Sequence, residues 1–448
     1  MTTLTLKDCR NCCILPSLGQ LPFLKHLTIY EFETLEIVGA EFYQNDKCCL
    51  EIPFPMLETL RFSSMRCWKE WHTMELHAFP RLRELTVVAC PLLRGDLSNH
   101  LPSLQSLEIK NCEQLSYCVP TAPAMTSLSI TGSSKVRIGV LPPLLRRLSI
   151  EGNHQVEFVL ETITNAQPTC LTDLSISNCS THMSFPVSSI PASLQKLQIS
   201  DCRKLQVQMD GQHHSLQQLS ISKSCDSDTS FSLLDSFPNI MHVQIYQCEK
   251  MECILVSRSL SYLRYLDIEN CGSLKSMSTL WMAAPQLQDL TILGCTEMDL
   301  SATGDPHCSL RSLGISYCEK LAHSAAFMNS QFHGLTHLWI EGEYDESVQS
   351  FPKEGWLPAS LESLTLYYIS VERLECKGLA HLTSLQQLSI YDCPVLENID
   401  GEMLPASLIQ LAIYRTPLLG ERCKMKDPQI WPKISHIQGI EVDGTWIW

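Results

Sequence analysis

The sequence predicts an α/β solenoid, with a parallel β-sheet on the concave side and mostly irregular or 3-10 segments on the convex side. Three observations indicate this class. A nine-residue pattern, L-x-x-L-x-I-x-x-C, recurs along the chain, for example from Leu104 to Cys112. The sixteen steps from the copy at Leu24 to the copy at Leu408 average 24 residues. Apolar and polar residues alternate within each copy, which is the pattern of a strand with one buried face.

Eighteen copies of the pattern share one register. Their spacing and their leucines at positions 1, 4 and 6 match the leucine-rich repeat, whose period is about 20–29 residues. One such strand cannot bury its apolar face alone, so neighbouring copies are expected to stack into a horseshoe with a continuous core. A degenerate further copy is expected at Ile434. The copies start at Met1, Leu24, Leu57, Leu82, Leu104, Met125, Leu145, Leu171, Leu194, Leu216, Ile240, Leu263, Leu287, Leu310, Leu335, Leu361, Leu385 and Leu408.

The segments between the predicted strands are rich in Ser, Pro and Gly and show little helical periodicity. We therefore expect extended or 3-10 turns there rather than full helices. Because each repeat contacts only its neighbours, the series predicts one leucine-rich-repeat domain of about 18 repeats over residues 1–448. Residues 417–448 are expected to form an irregular C-terminal cap of this domain.

Cysteine is frequent, with 22 residues in a chain of 448. Ten of these occupy position 9 of the repeat, where a small side chain can turn inward and satisfy the backbone as the strand ends. Many free thiols in register are typical of a reducing compartment, so we predict a cytoplasmic protein. The ten are Cys9, Cys90, Cys112, Cys179, Cys202, Cys248, Cys271, Cys295, Cys318 and Cys393.

Charge and hydropathy argue against two classes of partner. The net charge of −15 gives no diffuse basic field for phosphate backbones, so we do not expect nucleic acid to be a partner. No apolar run reaches the roughly 18 residues that a membrane span needs. The first ten residues, MTTLTLKDCR, have neither the basic start nor the apolar stretch of a signal peptide.

No motif for catalysis, for a cofactor or for a metal stands out, so we predict no enzyme activity, no cofactor and no metal site. There is no P-loop, no nucleophile elbow and no metalloprotease motif. The one spacing that suggests zinc is Cys9-x-x-Cys12, with Cys13, Cys48 and Cys49 downstream. Cys9 is a repeat position and no second pair follows at finger spacing, which favours a packing role for these cysteines.

Positions 3, 5 and 7 point away from the core and are expected to line the concave face. Aromatic residues gather there in the last repeats, together with an arginine. Such clusters are typical anchors of protein interfaces, so we predict that they bind a protein. The alternative is that the rings only cover the sheet near its end. The residues are Trp339 at position 5, Tyr367, Tyr391 and Tyr414 at position 7, and Tyr368 and Arg415 at position 8.

Carboxylates are the second feature of this face. They could attract a basic partner, and the alternative is an ordinary solvated polar surface. Asp267, Glu269 and Glu341 join the predicted protein-binding site. The remaining acidic residues are Glu108, Glu151, Asp173, Asp289 and, at position 8, Asp201.

Two phrases near the N-terminus go beyond the generic repeat. Residues 15–27 read LPSLGQLPFLKHL and residues 36–43 read EIVGAEFY. Together they resemble the "LPxLGQLPxLKxLxI … VxxIGxEFYG" block in the leucine-rich-repeat region of plant nucleotide-binding (NB-LRR) disease-resistance proteins of the coiled-coil class. The later PxSLxxLxIxxCxxL repeats are similar to the C-terminal half of that family. WPKISHI at residues 431–437 is similar to its closing phrase.

The resemblance implies an intracellular immune receptor. Its repeats would recognise a pathogen effector, directly or through a guarded host protein, and would hold the receptor's own nucleotide-binding domain inactive. The family's P-loop and its LDDVW-, GLPLA- and MHD-type segments are absent here, so ATP or ADP binding is not expected of these residues. Because Met1 already lies in repeat register and solenoids need a polar cap, we expect the chain to be part of a longer protein.

Other classes stay open at this point. The substrate-recognition repeats of F-box ubiquitin ligases also favour Cys at position 9, but they usually continue in an ITDxGL-like helical segment that this sequence lacks. Extracellular receptor ectodomains carry a G-x-I-P series, which is also lacking. A repeat-bearing enzyme would need a catalytic domain outside these residues.

Overall fold

The computed structural model describes residues 1–43, 52–72, 78–95, 97, 101–119, 122–165, 170–224, 230–298, 309–317, 332–342 and 350–447. The chain packs as two compact units, Met1–Leu216 and Gln217–Trp448. That all the repeats form a single domain stays a prediction.

The first unit consists of five-residue inner strands and shorter outer strands. Its strands are β1 (Thr3–Lys7), β2 (His26–Tyr30), β3 (Ile37–Val38), β4 (Thr59–Ser63), β5 (Glu70–Trp71), β6 (Glu84–Val88), β7 (Ser106–Lys110), β8 (Cys118–Val119), β9 (Ser127–Thr131), β10 (Arg137–Ile138), β11 (Arg147–Glu151), β12 (Asp173–Ser177), β13 (Met183–Pro186), β14 (Lys196–Ser200) and β15 (Leu205–Gln208). The inner strands pair parallel and in register, in the order β1-β2-β4-β6-β7-β9-β11-β12-β14. The outer strands pair as β3-β5, β8-β10 and β13-β15.

The return segments of the first unit are mostly irregular, with 3-10 turns at Leu18–Gln20, Ala40–Phe42 and Val187–Ser189. The helix α1 (Asn153–Asn165) is an exception to the expectation that full helices are missing. It forms because its apolar residues recur at helical spacing and so share one buried face. These residues are Val156, Val159, Leu160 and Ile163.

The second unit repeats this plan. Its strands are β16 (Gln218–Ser222), β17 (Ser230–Phe231), β18 (His242–Tyr246), β19 (Cys253–Ile254), β20 (Tyr265–Glu269), β21 (Asp289–Leu293), β22 (Ser312–Ser316), β23 (His337–Glu341), β24 (Ser350–Phe351), β25 (Ser363–Tyr367), β26 (Arg373–Glu375), β27 (Gln387–Tyr391), β28 (Asn398–Asp400), β29 (Gln410–Tyr414), β30 (Gly439–Val442) and β31 (Thr445–Ile447). The inner strands pair parallel as β16-β18-β20-β21-β22-β23-β25-β27-β29-β30. The outer strands pair as β17-β19 and β24-β26-β28. Short helices lie at α2 (Ser278–Ala283) and α3 (Cys376–Leu379), and a 3-10 turn at Leu233–Ser236.

The end of the second unit contains regular elements where we expected an irregular cap. Helices α4 (Pro417–Lys424) and α5 (Trp431–Ile434) lead into β30, and β31 folds back antiparallel on it. Asp443 and Gly444 have φ of 48° and 80° in this hairpin, which are the left-handed angles of a tight two-residue turn. Gly439 pairs with Gln410, so the degenerate copy starts at Ile437 rather than at Ile434.

The predicted repeat register is confirmed strand by strand. Each of the 18 copies has its inner strand at positions 3–7, and the side chains at positions 4 and 6 are buried in all but the terminal strand β1. The parallel-sheet solenoid with little helix is therefore the fold class that the alternation predicted. The core of each unit follows from this alternation, because each of its inner strands contributes two apolar side chains to the layer beneath the sheet.

Position 9 behaves as its cysteines suggested. In eight of the nine described copies with cysteine at position 9, the thiol donates to the carbonyl oxygen of position 7 in its own strand, with Sγ–O distances from 3.1 Å at Cys393 to 3.6 Å at Cys248. Ser133, Ser224 and Thr416 replace the thiol with a hydroxyl that makes the same bond. Cys318 lies outside the described residues. The small polar group thus donates a hydrogen bond to a backbone carbonyl that would otherwise lack a partner where the strand ends.

Position 8 has a shared conformation that the sequence pattern did not show. Its residue has a φ between 46° and 136° in every one of the 18 copies. Glycine, asparagine and aspartate tolerate this left-handed region and fill many of the copies. Ala89, Lys223, Gln247 and Tyr368 adopt it without that preference. The chain therefore turns off the sheet at a fixed point, whatever residue stands there.

Candidate functional site

The candidate site lies on the open face of the second unit, which we define as the side chains at positions 3, 5 and 7 of its inner strands. Most of these strands alternate buried residues with partly or fully exposed ones, as in Tyr265–Glu269 and Gln387–Tyr391. The sheet thus presents a row of side chains at each position, one residue per strand.

Four aromatic rings from neighbouring strands contact one another in sequence on this face. We call them the aromatic row: Trp339, Tyr367, Tyr391 and Tyr414. The Tyr367 and Tyr391 ring centroids are 4.6 Å apart with planes 10° apart, and those of Tyr391 and Tyr414 are 5.2 Å apart at 6°. Trp339 meets Tyr367 edge-on at 5.8 Å. The strands bring them together because Tyr367, Tyr391 and Tyr414 pair directly in the parallel ladder.

The stacking changes what the row can offer to a partner. Its tyrosines are half-buried because their faces cover one another, so ring edges and hydroxyls are presented rather than faces. The Tyr414 hydroxyl donates to the Glu441 carboxylate, which raises the pKa of Tyr414 to about 12. The pKa of Tyr367 is also raised, mainly because its ring is partly buried and secondly because Tyr391 lies nearby. The row is a preorganised ridge of aromatic edges.

Trp339 is seated by a glycine on the preceding strand. Gly314 pairs with Trp339 in the ladder, and a Cβ on Gly314 would lie 2.9 Å from Trp339 Cε3. A side chain at position 314 would therefore displace the indole ring. The glycine therefore lets the ring lie against the neighbouring strand.

The two predicted residues at position 8 flank the row rather than join it. Tyr368 is 45% exposed and makes none of the row's ring contacts. Arg415 donates from Nη2 to Asp392 Oδ2 at 2.6 Å, and its backbone N–H donates to Asp443 Oδ1 at 2.9 Å. The arginine is thus held beside Tyr391 and Tyr414 by carboxylates of its neighbours.

The predicted carboxylates have different environments. Asp267 accepts bonds from His242 Nε2 at 3.1 Å and Gln244 Nε2 at 3.3 Å. Glu341, on the same strand as Trp339, accepts a bond from Ser316 Oγ at 2.8 Å. The Glu269 carboxylate has no hydrogen-bond or ion-pair partner among the described residues, and burial together with the charge of Asp267 raises its pKa. Asp267 and Glu341 are thus fixed, whereas Glu269 carries an uncompensated charge.

The partners of Asp267 were not found from the sequence. His242 and Gln244 stand at positions 3 and 5 of β18, and Asp267 stands at position 5 of β20. The parallel ladder pairs Gln244 with Asp267 and puts His242 diagonally across from it. The pairing could have been predicted from the repeat register, because residues at equal positions in consecutive copies become neighbours in the sheet.

One sign of charge dominates the middle of the open face. The structure describes positions 5 and 7 of every inner strand from β16 to β29. None of these positions carries a lysine or arginine. They carry Asp267, Glu269 and Glu341 besides the aromatic row. In the first unit the same positions include Lys7, Arg61 and Lys110. The open face of the second unit is therefore an acidic and aromatic surface.

The described residues were also searched for metal-ligand groups and for helices that could span a membrane. They contain no group of three or more His, Cys, Asp or Glu residues placed to hold a metal ion. The Cys12 and Cys13 thiols each point to a nearby backbone carbonyl, and Cys48 and Cys49 lie outside the described residues. Across the part of the chain that could be searched, no helix is both long and apolar enough to cross a bilayer.

Comparisons with known proteins agree with the repeat register. The family model described as "At1g61320/AtMIF1, LRR domain" matches residues 171–353. The putative disease resistance protein At3g14460 of Arabidopsis thaliana is 25% identical in an alignment that covers 99% of this chain and 45% of that protein. The putative disease resistance RPP13-like protein 1, also of Arabidopsis thaliana, is 34% identical over 45% of this chain and 18% of its own length. The chain thus spans less than half the length of these relatives.

Solved structures with similarity to this chain include the crystal structure of CroV588, a circular LRR protein. It is 15% identical, with a TM-score of 0.45 over 92% of this chain and 62% of that one. The repeats of this chain and the relatives whose sequences align with them indicate what the chain is similar to. It is a leucine-rich-repeat chain, and the predicted resemblance to the repeat region of plant NB-LRR disease-resistance proteins is confirmed.

Proposed function

We propose that the chain is the recognition module of a plant immune receptor and acts without catalysis. Its open face would bind a pathogen effector or a guarded host protein, and would contact the nucleotide-binding domain of the full-length receptor to keep it inactive. The observation that carries this proposal is the aromatic row beside the acidic centre of the open face. Similarity to disease resistance proteins supports the setting in plant immunity.

The aromatic row suits a protein interface for energetic reasons. Tyrosine and tryptophan dominate interface hot spots, and rings that are already stacked lose little conformational freedom on binding. The edges of Tyr367 and Tyr391 and the Trp339 indole supply apolar contact, while the hydroxyls supply hydrogen bonds. Preorganisation by Gly314 keeps the indole ring in place before the partner arrives.

Charge sets which partner surface fits. Glu269 and Glu341 favour a partner that presents lysine or arginine opposite them, and like charge would repel an acidic surface. A basic patch facing Glu269 would also supply the counter-charge that this carboxylate lacks. The proposed contact therefore becomes weaker as salt is added, because screening shortens the reach of these charges.

We also propose a cytoplasmic location for the protein. All 17 cysteines within the described residues are free thiols, and this usage is typical of a reducing compartment. The leucine-rich-repeat solenoid is typically a non-catalytic scaffold for protein interaction. Nothing in the comparisons supports the alternative of an F-box ubiquitin ligase.

The test uses this chain and the nucleotide-binding region of its receptor, expressed as two tagged chains in leaf cells. Changing Trp339, Tyr367 and Tyr391 together to Ala should reduce co-precipitation by at least about tenfold, since each is an anchor of the proposed interface. In the intact receptor, the same variant should either trigger cell death without an effector or abolish the response to one. Circular dichroism should show that the variant still folds.

A matched control removes exposed apolar side chains that lie off the open face. Tyr262 is 57% exposed and Met282 is 81% exposed, so changing both to Ala removes surface without touching the row. The control should leave co-precipitation and cell death unchanged. Equal behaviour of the two variants, in either assay, would refute the assignment of the interface to the aromatic row.

A further inference from the structure

The first unit contains a cavity of about 650 Å³ on the side of its outer strands. It lies where α1 stands beside the outer strands β8 and β10. These outer strands are only two residues long, whereas α1 has 13 residues, and the cavity is lined by residues from β10 and from the first two turns of α1. A volume of this size holds a small molecule of ordinary metabolite dimensions.

Positively charged side chains converge on this cavity. Its lining includes the cations Lys135 and Arg137 and the imidazole of His154, and it includes no aspartate or glutamate. None of the three forms an ion pair with a described carboxylate, and Lys135 Nζ donates to the neutral Gln114 Oε1 at 2.8 Å. In a chain with a net charge of −15, such a gathering of unbalanced cations is unexpected for an ordinary surface.

The walls of the cavity are fixed by a buried amide. Gln155 is only 6% exposed, and its Nε2 donates to the carbonyl oxygens of Val136 at 2.9 Å and Ser134 at 3.4 Å. These bonds tie the first turn of α1 to the segment that carries Lys135 and Arg137. The cations therefore belong to one rigid wall rather than to independent loops.

The remaining lining groups suit an anion with an organic part. Ser116 and Ser134 add hydroxyl donors, and Phe158 adds an aromatic side chain. Arginine and lysine bind phosphate oxygens by charge-assisted hydrogen bonds, with arginine able to bind two oxygens at once. His154 lies in the first turn of a helix, where the helix dipole adds positive potential.

We propose that this cavity binds a small organic molecule carrying two or more phosphate groups. Lys135 and Arg137 hold the phosphates, His154 adds a ring N–H donor, and Phe158 contacts the organic part. A nucleoside triphosphate and an inositol polyphosphate share this chemistry. The site uses none of the residues of the aromatic row, so it can fail without affecting the proposed immune function, and the reverse is also true.

The test is isothermal titration calorimetry of the whole chain with three probes: ATP, inositol hexakisphosphate and inorganic pyrophosphate. The wild-type chain should bind at least one of the two organic probes more tightly than pyrophosphate, and binding should become weaker at higher salt. Replacing Lys135, Arg137 and His154 with Gln should weaken binding about 100-fold or more, because charged hydrogen bonds are lost. Preference between ATP and inositol hexakisphosphate then identifies the source of the phosphates.

Two further variants keep the test decisive. Changing Arg81 and Lys204 to Gln removes the same formal charge from exposed positions outside the cavity and should leave binding unchanged. Arg137→Lys keeps the charge but loses the two-oxygen geometry, and should retain part of the affinity. The proposal is overturned if none of the probes binds, if the double control weakens binding as much as the triple variant, or if the triple variant folds and binds normally.

Discussion

Substitutions at Tyr391 measure how much the ring stacks of the aromatic row contribute to stability. Its ring stacks on Tyr367 on one side and on Tyr414 on the other, at 4.6 Å and 5.2 Å between centroids. A stacked pair contributes about 0.5–1.5 kcal/mol beyond the area it buries, so Tyr391→Ala should lose about 1–3 kcal/mol from stacking alone. Loss of half-buried apolar area adds about 1 kcal/mol.

A double-mutant cycle separates the stacking from the area term. The pairs Tyr367–Tyr391 and Tyr391–Tyr414 should each show a coupling free energy of about 0.5–1.5 kcal/mol. Tyr367 and Tyr414 are separated by the Tyr391 ring, so their two substitutions should be additive to within about 0.5 kcal/mol. This third pair is an internal control, because the same residue types are changed in the same fold.

The measurement is urea denaturation followed by circular dichroism, with amide hydrogen exchange of Gln387–Tyr391 as a local readout. The local readout matters because repeat proteins can open one segment at a time. Coupling below about 0.3 kcal/mol for both neighbouring pairs, or equal coupling for all three pairs, would show that the rings do not stack as described.

Three further predictions concern other parts of the repeat. Gln247 holds a left-handed φ of 53°, so Gln247→Gly should raise the free energy of unfolding by about 0.5–1 kcal/mol in urea denaturation, whereas a loss would contradict the strain argument. Burial and Asp267 raise the pKa of Glu269, so the folded state binds this proton more tightly and stability falls as pH rises through the raised pKa. Glu269→Gln should therefore melt higher than wild type at pH 7, with the gap closing below about pH 4, and a gap that is independent of pH would refute this. Alkylation at neutral pH should label the exposed Cys13 in the native chain, whereas Cys202 should react only after unfolding, because burial raises its pKa to about 12. Peptide mass mapping that finds both cysteines labelled in the native chain would contradict the packing.

The inner strands were predictable because their signal is repeated and strong. Leu104, Leu107 and Ile109 show the register of one copy, and seventeen other copies repeat it, so tertiary context could not override the pattern. The ring stacks follow from the same register, since equal positions in consecutive copies must pair. The repeat pattern alone does not state which of the rings stack, because ring orientation depends on side-chain packing.

Other features were missed for identifiable reasons. The helix α1 has helical spacing in Val156, Val159 and Leu160, but it is a single segment among return segments that lack this spacing. The left-handed turn at position 8 was missed although glycine, asparagine and aspartate fill many of the copies, because residues such as Ala89 and Lys223 adopt it too and weaken that signal. The cationic cavity required packing of a helix beside outer strands, and no local pattern encodes that contact.

The in-register ladder has a consequence for how such a surface can change over generations. A side chain at position 7, such as Tyr391, has its ladder partners in the two adjacent strands, and its neighbours along the strand at positions 6 and 8 point elsewhere. A mutation there alters a patch one residue wide while the leucines beneath keep their packing. New specificities can therefore be reached in small steps, in which each change is coupled mainly to the residues at the same position of the two adjacent strands.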